Sequence, residues 1–375
     1  SRCGQVVLRP GGRRASAVPS RLAFRSLAEA APGSAWREIF QDGWPGWRDW
    51  YLARGGERAA LDRSRAALRR YMPEMERIWS RLVETAQADG DAARFLTFWS
   101  PPRYLVNCSQ AVLDDRSGPI LIRNYDLDPE LNERTLLRTR WLDRTVIGMI
   151  EGMAGLADGM NDAGLAVSIT FGGRVEFGQG FGVPLIVRYL LEVCRDVADA
   201  VEALRHVPCH MSYNVTLLDR SASWATVMLA PDRPPFVTES PFATNHQIGI
   251  EWPKHGRDSR TLERSDHLDR VLKASGLAQP ALERAFLSSP LFATGYDRGF
   301  GTVYTAVYRP MAGAMSLIWP DGNRLDCSFG DFPIRRFHVE YGGFGSRLVS
   351  VTDSGMTAGV APYGTGEPLV TCGPG

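Results

Sequence analysis

The feature that most constrains the fold is a change of sequence pattern at Pro101-Pro102. Before it, residues 20–100 are rich in strong helix formers, and apolar residues recur at helical spacing between Met75 and Val83. After it, short apolar runs alternate with turn residues, a pattern typical of strands. Because proline does not continue a helix and disfavours helical geometry in the residue before it, we expect the helical part to end here.

The part after the two prolines is predicted to contain a series of paired strands. In the first hairpin, Asp114–Gly118 forms the turn and Cys108 lies near the start of the first strand. Asn161 and Asp162 are predicted to form a tight hairpin turn, which gives them a structural role. The other runs predicted as strands are 152–156, 165–171, 214–219, 224–230, 236–238, 242–244, 302–308 and 314–319.

Helices are predicted between these strands. Pro184 suits a first turn, and an apolar stripe from Ile186 to Leu204 predicts one helix over 183–206. A polar helix is expected over 259–275 and a short one over 281–286. Strands on both sides of paired helices indicate stacked sheets covered by helices, an α+β fold. The glycine-rich stretch after Asp353 is expected to be loosely ordered.

Composition excludes several classes of function. The 375 residues include 43 basic and 42 acidic side chains, so no global field indicates binding to nucleic acid or to an anionic membrane. No apolar run is long enough for a membrane span, and we expect a cytoplasmic protein without a secretory leader. The six cysteines are scattered, which argues against a disulfide framework. The His206-Val-Pro-Cys209-His210 cluster lacks a second ligand pair, so no metal site is predicted.

A functional interpretation of Cys108 depends on the sequence motifs around it. By itself, a cysteine near the start of a strand is more often a small buried hydrophobe than a catalytic group. Here it lies in Asn107-Cys-Ser-Gln110 and is followed by four further motifs. These are Arg123-Asn-Tyr-Asp126, Ala157-Asp-Gly-Met-Asn-Asp-Ala-Gly-Leu-Ala166, Ala243-Thr-Asn-His246 and Thr302-Val-Tyr-Thr-Ala-Val-Tyr-Arg309.

In order and spacing, these motifs resemble the N-terminal-nucleophile cysteine hydrolases, specifically the acyl-coenzyme A:6-aminopenicillanic acid acyltransferase family. They are more distantly similar to choloylglycine hydrolases and penicillin V acylase. The resemblance covers roughly residues 104–340. It implies a four-layer αββα sandwich with a helical N-terminal segment.

The resemblance also implies that the chain cuts itself between Asn107 and Cys108. Residues 1–107 would become an α chain and residues 108–375 a β chain, together one structural domain. The freed α-amine, with a pKa near ~7.7–8.0, suits the role of base for the cysteine thiol at roughly 8.5. The shift of the acyl group to sulfur needs a strained carbonyl. The penicillin-forming relatives have glycine at the position before the nucleophile, where this chain has Asn107. Asparagine also tolerates unusual backbone angles.

Further site residues follow from the same resemblance. Asp126 would orient the new amine, and Arg123 would favour the thiolate. Asn245 would donate its amide to the developing oxyanion. Arg309 would bind a substrate carboxylate, and Arg260 resembles an arginine of the choloylglycine branch.

The resulting hypothesis is a self-processing cysteine amidohydrolase or acyltransferase acting on a small N-acylated substrate without a cofactor or metal. An acyl thioester is a second candidate donor, and a homo-oligomer of the α/β heterodimer is an open alternative. Two other interpretations remain: an unprocessed, non-catalytic binding homologue, and a conventional thiol hydrolase that uses His246 as the base for Cys108.

Overall fold

The computed structural model describes residues 20–53 and 60–342. The strands in these residues are β1 (Ser20–Glu29), β2 (Asn107–Asp115), β3 (Gly118–Leu127), β4 (Thr135–Thr139), β5 (Val146–Glu151), β6 (Gly155–Asn161), β7 (Leu165–Phe171), β8 (Tyr213–Asp219), β9 (Trp224–Leu229), β10 (Phe236–Thr238), β11 (Phe242–Ala243), β12 (Gly301–Arg309), β13 (Ala314–Ile318), β14 (Arg324–Ser328) and β15 (Arg335–Tyr341). The helices are α1 (Ser34–Ala53), α2 (Leu61–Tyr71), α3 (Pro73–Ala86), α4 (Gly90–Phe95), α5 (Val183–Val193), α6 (Val197–His206), α7 (Pro253–Asp258), α8 (Thr261–Leu272) and α9 (Gln279–Phe286). Cys3, Cys372, residues 54–59 of the part predicted to be helical, and the glycine-rich stretch after Asp353 lie outside the described residues.

The strands form two sheets. The larger has nine strands in the order β10-β9-β8-β7-β6-β5-β4-β1-β15, and the smaller has six in the order β11-β2-β3-β12-β13-β14. Neighbouring strands are antiparallel except β1 and β4, which are parallel. The sequence motifs that follow Cys108 are thereby distributed over both sheets, with Ala243–His246 at the edge strand β11 of the smaller one.

The two sheets stack face to face. Strands β2 and β3 of the smaller sheet pack on β7 and β8 of the larger one, while α5 and α6 cover the outer face of the larger sheet. Helices α8 and α9 cover the outer face of the smaller sheet over a separate apolar cluster that includes Ile122, Leu268 and Phe286. The predicted four-layer αββα sandwich is therefore confirmed.

The hairpin of β2 and β3 forms where the sequence predicts it. Gly118 adopts φ +100° at the turn, a conformation that glycine enters without a steric penalty. The residues that flank Cys108 then pair in register along both strands, from Asn107 opposite Asp126 to Asp115 opposite Gly118. The local signal was sufficient here because the turn and both apolar runs are contiguous in sequence.

The expectation that residues 20–100 are helical is wrong for its first ten positions. Residues Ser20–Glu29 form β1, which lies between β4 and β15 in the larger sheet. Helix propensities differ by less than about 1 kcal/mol per residue, so backbone pairing on both edges of a strand outweighs them. The segment ahead of Cys108 is therefore part of the sandwich and not only a helical layer.

The single helix predicted over 183–206 is instead two helices. Cys194 is extended at the end of α5, and the Asp196 side chain accepts a hydrogen bond from the Asp199 backbone N–H to begin α6. Asn161 helps to fix this break, since its amide donates to the carbonyls of Leu191 and Cys194 at 2.9 and 2.8 Å. The apolar stripe continues across the break, which is why periodicity alone missed it.

None of the helices in the described residues combines the length and the apolar character needed to cross a bilayer. The four cysteines in the same ranges, Cys108, Cys194, Cys209 and Cys327, are all buried and unpaired.

Candidate active site

Cys108 is presented by the β2–β3 hairpin to the interior between the sheets. Its cross-strand partner is Tyr125, and Arg123 lies two positions further along β3. Because successive side chains alternate between the faces of a strand, Cys108, Tyr125 and Arg123 share the face toward the larger sheet. Asp126 points to the opposite face. Cys108 is completely buried in the intact chain.

Arg123 makes the contact that most affects the thiol. Its Nη2 lies 2.8 Å from Cys108 Sγ, and its Nη1 donates to the Asp158 carboxylate and to the Ala157 carbonyl, both at 2.6 Å. The guanidinium also lies 4.7 Å from the centre of the Tyr125 ring. Burial raises the pKa of the Cys108 thiol to about 11, while the charge of Arg123 opposes that rise. A thiolate formed here would therefore have its counter-charge already in place.

Asp158 fixes the orientation of Arg123. It lies on β6, is fully buried, and accepts hydrogen bonds from the hydroxyls of Tyr304, at 2.7 Å, and Tyr308. A buried ion pair is retained only when its remaining hydrogen-bonding capacity is satisfied, and these two tyrosines of β12 satisfy the carboxylate. The predicted arginine thus has a defined geometry set by three neighbouring strands.

Asn245 approaches Cys108 from the turn after β11. Its Oδ1 accepts a hydrogen bond from the Cys108 backbone N–H at 3.2 Å, and its Nδ2 donates to the carbonyls of Phe171 and Val106 at 3.1 and 3.4 Å. Gly173 permits this approach, since it has φ +70° and a Cβ there would lie 2.3 Å from the Asn245 carbonyl oxygen. The amide donor of Asn245 is therefore directed toward the segment just before the proposed cleavage bond.

Arg264, in the first turn of α8, completes this side of the site. Its Nη1 donates to the Cys108 carbonyl oxygen at 2.6 Å and to Ser109 Oγ at 2.9 Å, while Nη2 donates to Asn245 Oδ1 at 2.6 Å. One guanidinium thereby fixes both the nucleophile's backbone and the orientation of the Asn245 amide. Sequence reasoning missed this residue and selected Arg260 instead.

Arg260 lies one helical turn before Arg264 but does not share its surroundings. It occupies the left-handed region with φ 51° and pairs with Glu263. The sequence could have distinguished the two arginines only by their positions relative to the start of α8. That start depends on where the chain turns after Asn245, which the sequence does not specify.

Asp126 lies directly behind the proposed cleavage bond. It pairs with Asn107 across the hairpin, and its Oδ1 accepts a hydrogen bond from Thr302 Oγ1 at 2.7 Å. Burial raises the pKa of Asp126 to about 6, against the opposing charge of Arg264. Its carboxyl can consequently change protonation state near neutral pH, close to the backbone nitrogen of Cys108.

Asn107 is in regular strand pairing and is not among the residues with positive φ. The positive φ values ahead of Cys108 are at Phe98 and Ser100, with 50° and 48°. Asn107 itself therefore does not adopt the left-handed conformation that would strain the proposed cleavage bond.

The structure does not bring Arg309 to this cluster. Arg309 is at the far end of β12, where Tyr308 pairs with Leu121, whereas Thr302 at the other end pairs with Asp126. At about 3.3 Å per residue, five positions along β3 separate the levels of Arg309 and Cys108 by roughly 17 Å. Arg309 instead hydrogen-bonds Ser316 at 3.0 Å.

His246 also has other partners. Its Nδ1 lies 3.2 Å from the Thr244 hydroxyl and 2.9 Å from the Thr261 hydroxyl. No hydrogen bond in the described residues joins it to Cys108. Likewise, no group of three or more histidine, cysteine or acidic side chains in those residues has the geometry to hold a metal ion.

The αββα sandwich, with a hairpin of the smaller sheet packed against the larger sheet, is the architecture of the N-terminal-nucleophile class of fold. Within that class, the chain belongs to the acyl-coenzyme A:6-aminopenicillanic acid acyl-transferase family. The family model matches residues 113–324, more than half of the chain. The match begins five positions after Cys108 and contains Arg123, Asp126, Asn245 and Arg264. Membership makes the chain one of a group of amidohydrolases and acyltransferases.

Solved structures with a similar arrangement include a mutant conjugated bile acid hydrolase from Clostridium perfringens, with a TM-score of 0.41 and 12% identity over 63% of this chain and 97% of that one. Penicillin V acylase from Agrobacterium tumefaciens has a TM-score of 0.40 and 13% identity over 60% and 86% of the two chains. A Caenorhabditis elegans N-acylethanolamine-hydrolyzing acid amidase ortholog has a TM-score of 0.41 and 15% identity over 62% and 100%. No curated protein matches the chain.

Proposed function

We propose that the protein is a self-processing N-terminal cysteine amidohydrolase or acyltransferase that acts on an amide bond of a small N-acylated substrate. The observation that carries the proposal is the set of contacts at Cys108. Arg123 lies on the sulfur, Asn245 on the backbone nitrogen and Arg264 on the carbonyl oxygen, at 2.8, 3.2 and 2.6 Å. A purely structural cysteine needs none of these three contacts.

In the proposed processing step, Cys108 Sγ attacks the carbonyl carbon of Asn107. The C–N bond between the two residues breaks, the nitrogen takes up a proton, and an internal thioester forms. Water then cleaves the thioester to release the Asn107 carboxylate and the free Cys108 thiol. The products are an α chain ending at Asn107 and a β chain beginning at Cys108, which stay together as a heterodimer.

In turnover, the new α-amine accepts the thiol proton while Sγ attacks the substrate amide. The Asn245 amide, which contacts the Val106 carbonyl in the intact chain, supplies a donor for the oxyanion once that segment moves. The amine product leaves, and a thioester acyl-enzyme is resolved by water or by a second amine. A carboxyl with its pKa near 6 at Asp126 is ionised at neutral pH and can orient the ammonium form of the amine.

The substrate class that suits this chemistry is a small amide, with an acyl thioester as an alternative acyl donor. No step requires a cofactor. The printed names of the similar structures concern bile acid conjugates, penicillin V and N-acylethanolamines, which are all small amides. The proposal extends only that shared chemistry to this chain.

Intact mass spectrometry and N-terminal sequencing of the purified protein test the processing step. We expect two fragments, the larger beginning Cys-Ser-Gln-Ala, and a single full-length species for Cys108→Ala. The Cys108→Ser variant is a matched control that keeps a nucleophile of nearly the same shape. Full-length wild-type protein that persists for days would contradict self-processing.

A second candidate, an unprocessed binding protein, is favoured by the complete burial of Cys108 in the intact chain. It predicts one persistent species whose Cys108 does not react with iodoacetamide. The Cys–His alternative predicts that His246→Ala blocks acylation as completely as Cys108→Ala does. The threonine contacts of His246 lead us to expect normal processing in that variant.

A further inference from the structure

Two buried carboxyl groups next to the site have no role in the proposed mechanism. Glu151, at the end of β5, accepts a hydrogen bond from the Tyr125 hydroxyl at 2.8 Å, and Glu133 accepts one from the Met153 backbone N–H at 2.8 Å. The second oxygen of each carboxyl is buried and makes no hydrogen bond within the described residues. Buried polar atoms without partners are rare in folded proteins, so this pair needs an explanation.

No cationic side chain in residues 20–53 and 60–342 forms an ion pair with either group, and the charge of Arg123 offsets only part of the burial of Glu151. No arginine, lysine or histidine nitrogen in those ranges lies within 4.0 Å of either carboxylate, and the nearby buried Arg123 is paired with Asp158. Burial, the largest cause in both cases, raises the pKa of Glu133 to about 8 and that of Glu151 to about 7. The repulsion between the two carboxylates raises the pKa of Glu133 further.

Aromatic side chains surround the carboxyl pair. The rings of Trp47 and Trp50 are 5.3 Å apart and that of Tyr104 lies 6.3 Å from Trp50. The Trp47 side chain contributes to lowering the pKa of Glu133, against the larger effect of burial. Burial and, to a smaller extent, the charge of Glu151 raise the pKa of Tyr104. Aromatic faces attract cations, and Trp50 Nε1 is a further buried group that lacks a partner in the described residues.

The cluster of Glu133, Glu151, Trp47, Trp50 and Tyr104 adjoins the reacting thiol. Tyr125 bridges the two, because it is the cross-strand partner of Cys108, its ring lies 4.7 Å from the Arg123 guanidinium, and its hydroxyl donates to Glu151. Tyr104 lies four positions before Cys108, in the segment that would become the end of the α chain. Movement of that segment after cleavage would open the cluster on the side of the thiol.

We propose that this cluster binds a cationic ammonium group of the substrate. The inference rests on the proposed function and narrows its substrate class to N-acylated amines that carry a second, protonated amine. An ammonium ion offers three N–H donors for the free carboxylate oxygens and a charge for the aromatic faces. A neutral group in the same place would leave two buried carboxyls without compensation.

Binding to the purified wild-type protein tests the cluster by itself. Isothermal titration with pentylammonium and with the isosteric alcohol 1-pentanol should give at least ~10-fold tighter binding of the cation, which a desolvated charge and aromatic contact can supply. Glu151→Gln should weaken cation binding by a similar factor and leave the alcohol unchanged. Glu192→Gln is the matched control, since Glu192 is also a buried carboxyl but pairs with Arg188 on α5. Equal binding of cation and alcohol, or cation binding unchanged in both Glu151→Gln and Glu133→Gln, would overturn the inference.

A substrate pair separates this inference from the proposed function. The phenylacetyl amides of 1,4-diaminobutane and of pentylamine differ only in the terminal ammonium group. We expect at least ~10-fold higher kcat/KM for the charged amide, and a loss of that preference in Glu151→Gln with the neutral amide little affected. Equal rates would count against the cation site. If neither amide acylates Cys108, the proposed function fails, while titration of protein that mass spectrometry shows to be cleaved still decides whether the cluster binds ammonium.

Discussion

Two buried arginines contact Cys108 at different atoms, and we expect them to have different functions in the proposed site. Arg123 supplies charge to the sulfur, whereas Arg264 fixes the peptide geometry by bonding the Cys108 carbonyl and the Asn245 amide oxygen. A guanidinium is needed for the second function, because one planar group must serve four acceptors at fixed angles: the carbonyls of Cys108 and Ser259, Ser109 Oγ and Asn245 Oδ1. A lysine at this position would retain the charge but lose this geometry.

Replacing Arg264 with lysine should therefore slow both processing and acylation by roughly 10- to 100-fold, the range expected when one or two charge-assisted hydrogen bonds are lost. The matched variant Arg260→Lys should change either rate by less than about 2-fold, since Arg260 pairs with Glu263 on the exposed start of α8. Single-turnover mass spectrometry of Cys108 acylation measures the difference. Equal losses in the two variants would show that position 264 has no special role.

At the scale of elements, β1 is the strand by which the proposed α chain enters the larger sheet. Strand β1 precedes the proposed cleavage bond by nearly eighty positions. It pairs with β4 and β15, which both lie after that bond in the sequence. Phe24 on β1 packs on Trp319 and Phe337, with ring centres 5.3 and 6.0 Å away. After cleavage, these backbone and ring contacts would help to hold the chains together, with others such as the Trp36 Nε1 hydrogen bond to the Met153 carbonyl at 2.9 Å.

A proline at position 25 tests this function of β1. The Arg25 backbone N–H donates to the Arg134 carbonyl at 3.0 Å, and proline has no N–H, so Arg25→Pro should lower the free energy of unfolding by about 3 kcal/mol or more. The control Arg25→Ala keeps the backbone N–H and removes the ion pairs with Glu38 and Asp42 and the side-chain hydrogen bond to Thr135 Oγ1, so it should cost less than the proline variant, about 1–2 kcal/mol. Urea denaturation monitored by tryptophan fluorescence compares the two. A proline variant as stable as the alanine variant would contradict the importance of the backbone pairing between β1 and its neighbouring strands.

At the scale of the whole molecule, buried titratable groups determine how stability varies with pH. Burial raises the pKa values of four carboxyls: Asp126 to about 6, Glu151 and Glu192 to about 7, and Glu133 to about 8. Between the unfolded values near ~4 and these folded values, the native state binds more protons than the unfolded state, so stability falls as pH rises. His210 and His255, whose pKa values burial lowers to about 4, act in the opposite direction: their contribution is complete above ~6.5 and is lost as pH falls toward 4.

We therefore expect the free energy of unfolding to fall between pH 5 and pH 8, with the histidines offsetting part of the fall below ~6.5. Glu151→Gln should reduce the fall by roughly 2–3 kcal/mol, because a folded pKa near 7 for a glutamate corresponds to that much penalty on its ionised form. The exposed Glu84→Gln on α3 should leave the pH dependence unchanged. Urea denaturation at pH 5.5 and pH 8 measures both variants, and identical slopes for wild type and Glu151→Gln would refute the expectation.

The sequence by itself predicted the αββα architecture, the hairpin that carries Cys108, and the positions of Arg123, Asp126 and Asn245. Each of these depends on contiguous residues, such as a turn between two apolar runs, or on motifs whose order resembles a known family. The family assignment now rests on a match over residues 113–324. The roles of the individual site residues, the self-cleavage and the cytoplasmic location stay predictions.

Only the tertiary structure decided which side chains meet. It placed Arg264 and not Arg260 against Cys108, brought Asp158 from another sheet to Arg123, separated Arg309 from the site, and made a strand of residues that favour helix. The physical reason is common to all four. Local helix and strand propensities change the free energy of folding by less than about 1 kcal/mol per residue. Sheet pairing and the burial of charged groups change it by several kcal/mol, and both depend on residues far apart in the chain.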